Sequence, residues 1–323
     1  DFAEADLREA DLNDASGPWV SFDDADCTDV SFDGAELTDG TFTETTLVRV
    51  SLTDASLAGS ELNGATVTDA TMSHASLDDA VAIDTEFTEC VFRDVTATDS
   101  TLSESDFSGV TMSGSDFAGS DLSGADLSDA TITDCDFSGA DLRGVNLRNA
   151  TIRETTLCDA TLTDADLQNA TIVGSDLSDA VLDNVTFDEA IVRETSMKQA
   201  SFESMRLAGA DLVGTVLDGV DLSGRSLAGT DLTDGSLRDA NLSNCDLEST
   251  ILTGADLSGA ELRNANLRNG NLRGSDLSDA AVVKATLTNA SVQDGTADGA
   301  DFTGADLRDC SLARASLEKA TFT

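Results

Sequence analysis

The sequence predicts an all-β solenoid, and three observations predict it. They are an unbroken five-residue period, a small residue at one fixed place in each pentad, and turn chemistry at another. Starting at Phe2, every fifth residue through Phe322 gives 65 positions, which hold 37 Leu, all 13 Phe, 4 Val, 3 Ile and 3 Met. The exceptions are Gly17, Cys27, Ala82, Ala97 and Ala297, and no insertion shifts the phase. A five-residue period suits neither the helical repeat nor the alternation of a strand, so the chain turns a corner once per pentad.

The remaining positions each have a physical job. Two residues before each centre lie 64 positions, of which 32 are Ala and 30 are Gly, Ser, Thr, Cys or Val; Met205 and Arg225 are the outliers. This is a second inward position, with room for one small side chain beside a large one. Two residues after the centre stand 20 Gly, 20 Asp and 7 Asn, the residues that tolerate positive φ or tight local turns. The residues directly beside the centre are mostly polar and face water. One pentad cannot bury its own Leu or Phe, so successive coils must stack and pair their backbones about 4.8 Å apart.

Charge excludes several classes of function. The chain of 323 residues carries 62 acidic and 18 basic residues, a formal net charge of −44, with 15 of the bases Arg and 3 Lys. Such a surface repels nucleic acid and anionic lipid, so direct nucleic-acid binding is not expected. No apolar run approaches a membrane span, and membrane insertion is not expected either. Hydrophobic content of 40% still argues for a packed core rather than disorder.

Runs such as GADLSDA (Gly124 to Ala130) and GADLRGVNLRNA (Gly139 to Ala150) resemble the pentapeptide-repeat family, whose consensus is A(D/N)LXX. The resemblance covers the whole chain in one register. It implies a right-handed quadrilateral β-helix with four pentads per coil, hence about 16 coils and a rod of roughly 77 Å at the usual strand spacing. One domain over residues 1–323 is expected, with a piece of a longer chain left open, since both ends stop in mid-repeat. Uncapped ends also leave end-to-end or dimeric self-association open. The pattern breaks at Gly17-Pro18-Trp19, read as an irregular first coil or cap, or else as a partner contact.

Against this repeat background, cysteines, charged files and irregular positions stand out. Cys90, Cys135, Cys245 and Cys310 fall at the small inward position and Cys27 at a centre, while Cys158 points outward; none is 20 residues from another, so free thiols in a reducing cytoplasm are expected. His74 stands at a corner with no motif-fixed partner, and no insertion supplies a pocket, so no catalytic, cofactor or metal site is expected. Asp106, Asp126 and Asp166 form a stacked carboxylate ladder completed by Asn146, and Asp121 with Asp141 a shorter one; both collect loose counterions. Thr111, Thr131, Thr151 and Thr171 form a column of β-favouring surface residues.

Arg143, Arg148 and Arg153 lie on three successive sides of one coil, and Arg263, Arg268 and Arg273 repeat the arrangement. They read as relief of repulsion through Asp141, Glu154 or Glu261, or as belts for an acidic partner. Arg225, at an Ala position, is expected to point outward through a local distortion. Val81 and Ile83 flank the small centre Ala82; they form a contact patch, or the register flips them inward to fill the space. Ala97 and Ala297 leave similarly underfilled centres.

Two functions follow from these readings. A branch of the resembling family imitates duplex DNA and binds type II topoisomerases such as gyrase, and a net −44 on the expected rod is about one charge per 1.75 Å, close to B-DNA. Yet the acidity covers every side, and Asp excess with Lys depletion resembles salt-in halophiles, especially haloarchaea. The preferred expectation is therefore a non-enzymatic protein-interaction scaffold adapted to high salt, with an unknown protein partner; DNA mimicry is the alternative.

Overall fold

The computed structural model describes residues 1–202, 204–207 and 209–323. The pentad becomes a straight side closed by a tight turn. At most corners the N–H of the inward small residue donates to the carbonyl of the centre three residues earlier, as from Ala125 to Leu122 at 3.0 Å. The corner residue between them is left-handed: Asp129 has φ 60° and Gly124 φ 70°. Corners without Gly, Asp or Asn adopt the same conformation, including Arg49 (φ 55°), Gln199 (φ 59°) and Lys284 (φ 56°). Stacking imposes this geometry on residues that resist it.

Successive turns pair in parallel at a register of 20 residues, so Asp106 bridges Asp126 and Asp256 bridges Asp276. Five-residue sides and this register put four sides in each turn. At eight places where a β-branched residue precedes the centre, the bridge lengthens into a three-residue strand, although Val81 and Ile251 in the same position make only isolated bridges. Eight such strands occur among the described residues: β1 (Thr46–Val48), β2 (Thr66–Thr68), β3 (Val91–Arg93), β4 (Thr111–Ser113), β5 (Thr131–Thr133), β6 (Thr151–Arg153), β7 (Thr171–Val173) and β8 (Ile191–Arg193). β1 pairs with β2, and β3 to β6 pair in order, stacking Thr111 on Thr131 and Thr131 on Thr151.

The chain divides into two compact units, Asp1–Thr171 and Ile172–Thr323, each a parallel β-solenoid. Within each, the centres and small inward residues form the core. In the first unit the aromatic centres stack turn on turn, with Phe22 and Phe42 rings 4.9 Å apart and Phe87 and Phe107 4.8 Å apart. The centres Ala82 and Ala97 are both fully buried. Their turn carries Phe87 and Phe92 between them, ring centroids 5.7 Å apart, so two large centres accompany two small ones. Cys27 is likewise flanked by Phe22 and Phe32, whose rings meet edge to face at 5.6 Å.

Candidate interaction surface

The outward residues are positioned by backbone hydrogen bonding. At many sides the N–H just after the centre is satisfied in one of three ways. It joins a three-residue strand; it is capped by the Asp or Asn just before the centre; or it is capped by a side chain one turn earlier. Asp126 Oδ1 accepts from Ser128 N–H at 2.8 Å, and Asp256 Oδ1 from Ser258 N–H at 2.9 Å. Asp78 Oδ1 instead accepts from Thr98 N–H, 20 residues on, at 2.9 Å, as Asp33 does from Thr53 at 3.0 Å. The Asp of the repeat is thus first an acceptor for a donor that would otherwise lack one.

Asp106, Asp126, Asn146 and Asp166 stand in one file, each bridged to the next. Asn146 Nδ2 donates to Asp126 Oδ1 at 3.0 Å, so an amide interrupts the run of like charges. Asp106 also lines, with Asp84, Glu86 and Glu104, a shallow depression beside Gly64. Arg148 Nη1 reaches Asp166 Oδ2 at 2.8 Å, which brings four of the predicted residues, Asp106, Asp126, Asp166 and Arg148, into contact or close file. Arg143 lies on another side and pairs with Asp141 at 2.5 Å. Its guanidinium hydrogen bonds hold the Asp141 carboxyl below the usual carboxylate range. Arg153 ends β6, exposed, with no ion pair among the described residues. The equivalent Arg263 pairs with Glu261 at 2.8 Å and Arg273 with Asp294 at 3.2 Å.

Ala82 remains the buried centre and Ile83 is 39% exposed, so the register does not flip. Val81 lies in the file that runs from Glu61 through Thr101 to Asp121 and Asp141. The predicted residues therefore occupy several sides and do not converge on one patch. His74 sits at an exposed corner with Nδ1 3.7 Å from Asp94 Oδ2.

Many polar residues at the inward position donate to a centre carbonyl, either three residues earlier, as Ser60 to Leu57 and Ser120 to Phe117, or one turn earlier. Thr85 Oγ1 donates to Leu62 O at 2.7 Å, Thr250 Oγ1 to Leu227 O at 3.0 Å and Cys245 Sγ to Leu222 O at 2.8 Å, each 23 residues earlier. Arg225 uses the same device rather than turning fully outward. It is half-buried, and its Nη2 donates to Phe202 O at 3.2 Å, while its Nε is buried without a partner among the described residues. All six cysteines are free thiols. Burial pushes the Cys27 and Cys90 thiols up to about 12, and Cys135 and Cys245 up to about 11. Cys310 is partly exposed, unlike the other inward cysteines.

Sequence reasoning missed the ion pairs that join consecutive turns. Asp218 is nearly buried, accepting from Ser236 Oγ at 2.5 Å and from Arg238 N–H at 3.0 Å, with the Arg238 guanidinium 2.7 Å away. Asp188 is held similarly by Arg206. Their separations of 20 and 18 residues were the available signal.

A family model described as pentapeptide repeats matches the chain in eight copies, over residues 1–39, 41–234, 240–279 and 285–323. The chain belongs to the pentapeptide-repeat family. Among solved members, HetL, a pentapeptide-repeat protein involved in heterocyst differentiation regulation in Nostoc sp. strain PCC 7120, is 28% identical; the match covers 79% of this chain and 88% of HetL with a TM-score of 0.19. Rfr23 from Cyanothece 51142 is 31% identical over 35% of this chain and 64% of its own, with a TM-score of 0.25. QnrB1, a plasmid-mediated fluoroquinolone resistance protein, is 22% identical over 62% of this chain and 94% of its own, with a TM-score of 0.27. No curated protein matches the chain in sequence. No helix of the described residues is long and apolar enough to cross a membrane.

Proposed function

We propose that this pentapeptide-repeat protein is a non-enzymatic scaffold that binds protein partners along the flat sides of a solenoid, with a surface adapted to high salt. One observation carries the salt reading. Asn146, Asn241, Asn266 and Asn271 cap the same backbone N–H that Asp caps elsewhere, at 3.1–3.3 Å. The fold therefore asks for an acceptor and not for a charge, and the negative charge at the other caps serves the surface. The reading extends to one continuous right-handed domain of about 16 coils over residues 1–323, and to a reducing cytoplasm, which suits six free thiols.

The test is thermal unfolding across a KCl series. The midpoint is expected to fall steeply below about 1 M KCl as screening is lost and self-repulsion grows. A midpoint unchanged at low salt would remove salt adaptation as the source of the acidity.

DNA mimicry is a second reading, favoured by charge density. At 20 residues per turn, a net −44 amounts to about one charge per 1.75 Å of stacking, near the value for duplex DNA. Saturable binding to a type II topoisomerase from a halophile at about 2 M KCl, competed by DNA and absent for an equally acidic non-repeat protein, would favour mimicry over a general scaffold. No binding leaves the scaffold reading.

A further inference from the structure

The only Trp of the chain stands where nothing in the fold requires it. Its coil is not irregular. Gly17 N–H donates to Glu36 O at 2.9 Å, Trp19 N–H to Thr38 O at 3.0 Å and Val20 N–H to Gly17 O at 3.2 Å, the pattern of every other turn. Pro18 occupies the position whose N–H elsewhere needs a cap, and having none it needs none. Trp19 itself takes the corner at φ 62°, where an indole side chain is disfavoured, and its side chain is 76% exposed. The residue thus bears a backbone cost and contributes nothing to the core.

We propose that Trp19 is an aromatic anchor for an arginine- or lysine-bearing segment of a basic partner. This rests on the scaffold reading above and names the partner's chemistry. Glu36, whose carbonyl receives the Gly17 N–H, lies on the adjoining side with its Oε2 3.3 Å from Ser16 Oγ, while Asp39 holds the same corner one turn on with its carboxylate directed toward Gly59. An exposed indole on an acidic surface offers a cation a π face with counter-charge nearby on the chain, and a net charge of −44 draws basic segments toward it. Exposed Trp is also the side chain that most often dominates a protein interface.

Because Trp19 is the sole indole, its fluorescence reports on this corner alone. The full chain is titrated with a nona-arginine peptide and an uncharged control peptide, with calorimetry run in parallel. The expected result is a saturable change in indole emission with the arginine peptide only. Affinity should fall about three- to tenfold in Trp19→Ala and recover partly in Trp19→Phe, all three proteins giving the same circular dichroism. A silent indole while calorimetry registers binding, or equal affinity in Trp19→Ala, overturns the anchor and leaves the scaffold reading standing. Absence of calorimetric binding to any of the proteins also overturns it, whereas loss of the scaffold reading requires that no protein partner bind any side.

Discussion

Asp136 shows what a single carboxylate does in this chain. Its Oδ1 accepts from Ser138 N–H at 2.8 Å, satisfying a donor that its own ladder leaves free. Asp136→Ala removes the acceptor and is expected to cost about 1 kcal/mol, while Asp136→Asn keeps it and stays within about 0.5 kcal/mol. Urea unfolding at high salt measures both; equal loss in the two variants would mean that the charge, not the acceptor, holds the turn. Below about 1 M KCl, Asp136→Asn should become the more stable of Asn and wild type, since one repelling charge is gone.

Within a turn, the four centres share one interior. Phe87 and Phe92 stand between Ala82 and Ala97 in one turn, and all four are fully buried. Ala82→Leu alone overpacks the turn at an expected cost of about 1–3 kcal/mol. Phe87→Leu alone opens a cavity of comparable cost. The double variant restores total volume and is expected to recover at least about 1 kcal/mol relative to the sum of the singles. Additive losses in that double-mutant cycle would show that the centres do not compensate.

For the molecule at large, net charge and local caps pull in opposite directions with pH. Lowering pH from neutrality first discharges some of the 62 acids and relieves repulsion at low salt. Several carboxylates, however, are held low by their partners: Asp6 by its hydrogen bonds to Arg8, to about 2, Asp211 by its hydrogen bond to Arg193, and Asp294 by its hydrogen bond to Arg314. A carboxylate with a depressed folded pKa stabilises above its unfolded value, near 3.8, and that stability is lost as pH falls toward 2. Thermal midpoints at low salt should therefore rise from pH 7 toward about pH 4.5 and fall between about 4 and 2. A monotonic fall from pH 7 would contradict the repulsion account.

The period of five, the inward Leu and Phe and the small residue beside them were legible because each depends on neighbours within one pentad. The carboxylate files at Asp106, Asp126 and Asp166 were legible too, once 20 residues were assigned to a turn. Other features were not. The Phe202 carbonyl that receives Arg225 and the Asp218–Arg238 pair depend on which side chains meet across or around a turn. Nor did composition show that Arg49, Gln199 and Lys284 take the left-handed corner that Gly and Asp take elsewhere. Local preference opposes that conformation, and hydrogen bonds to the next turn impose it. A repeat writes its period into neighbouring residues, but contacts between turns arise only when separations of 18, 20 and 23 residues are brought into register.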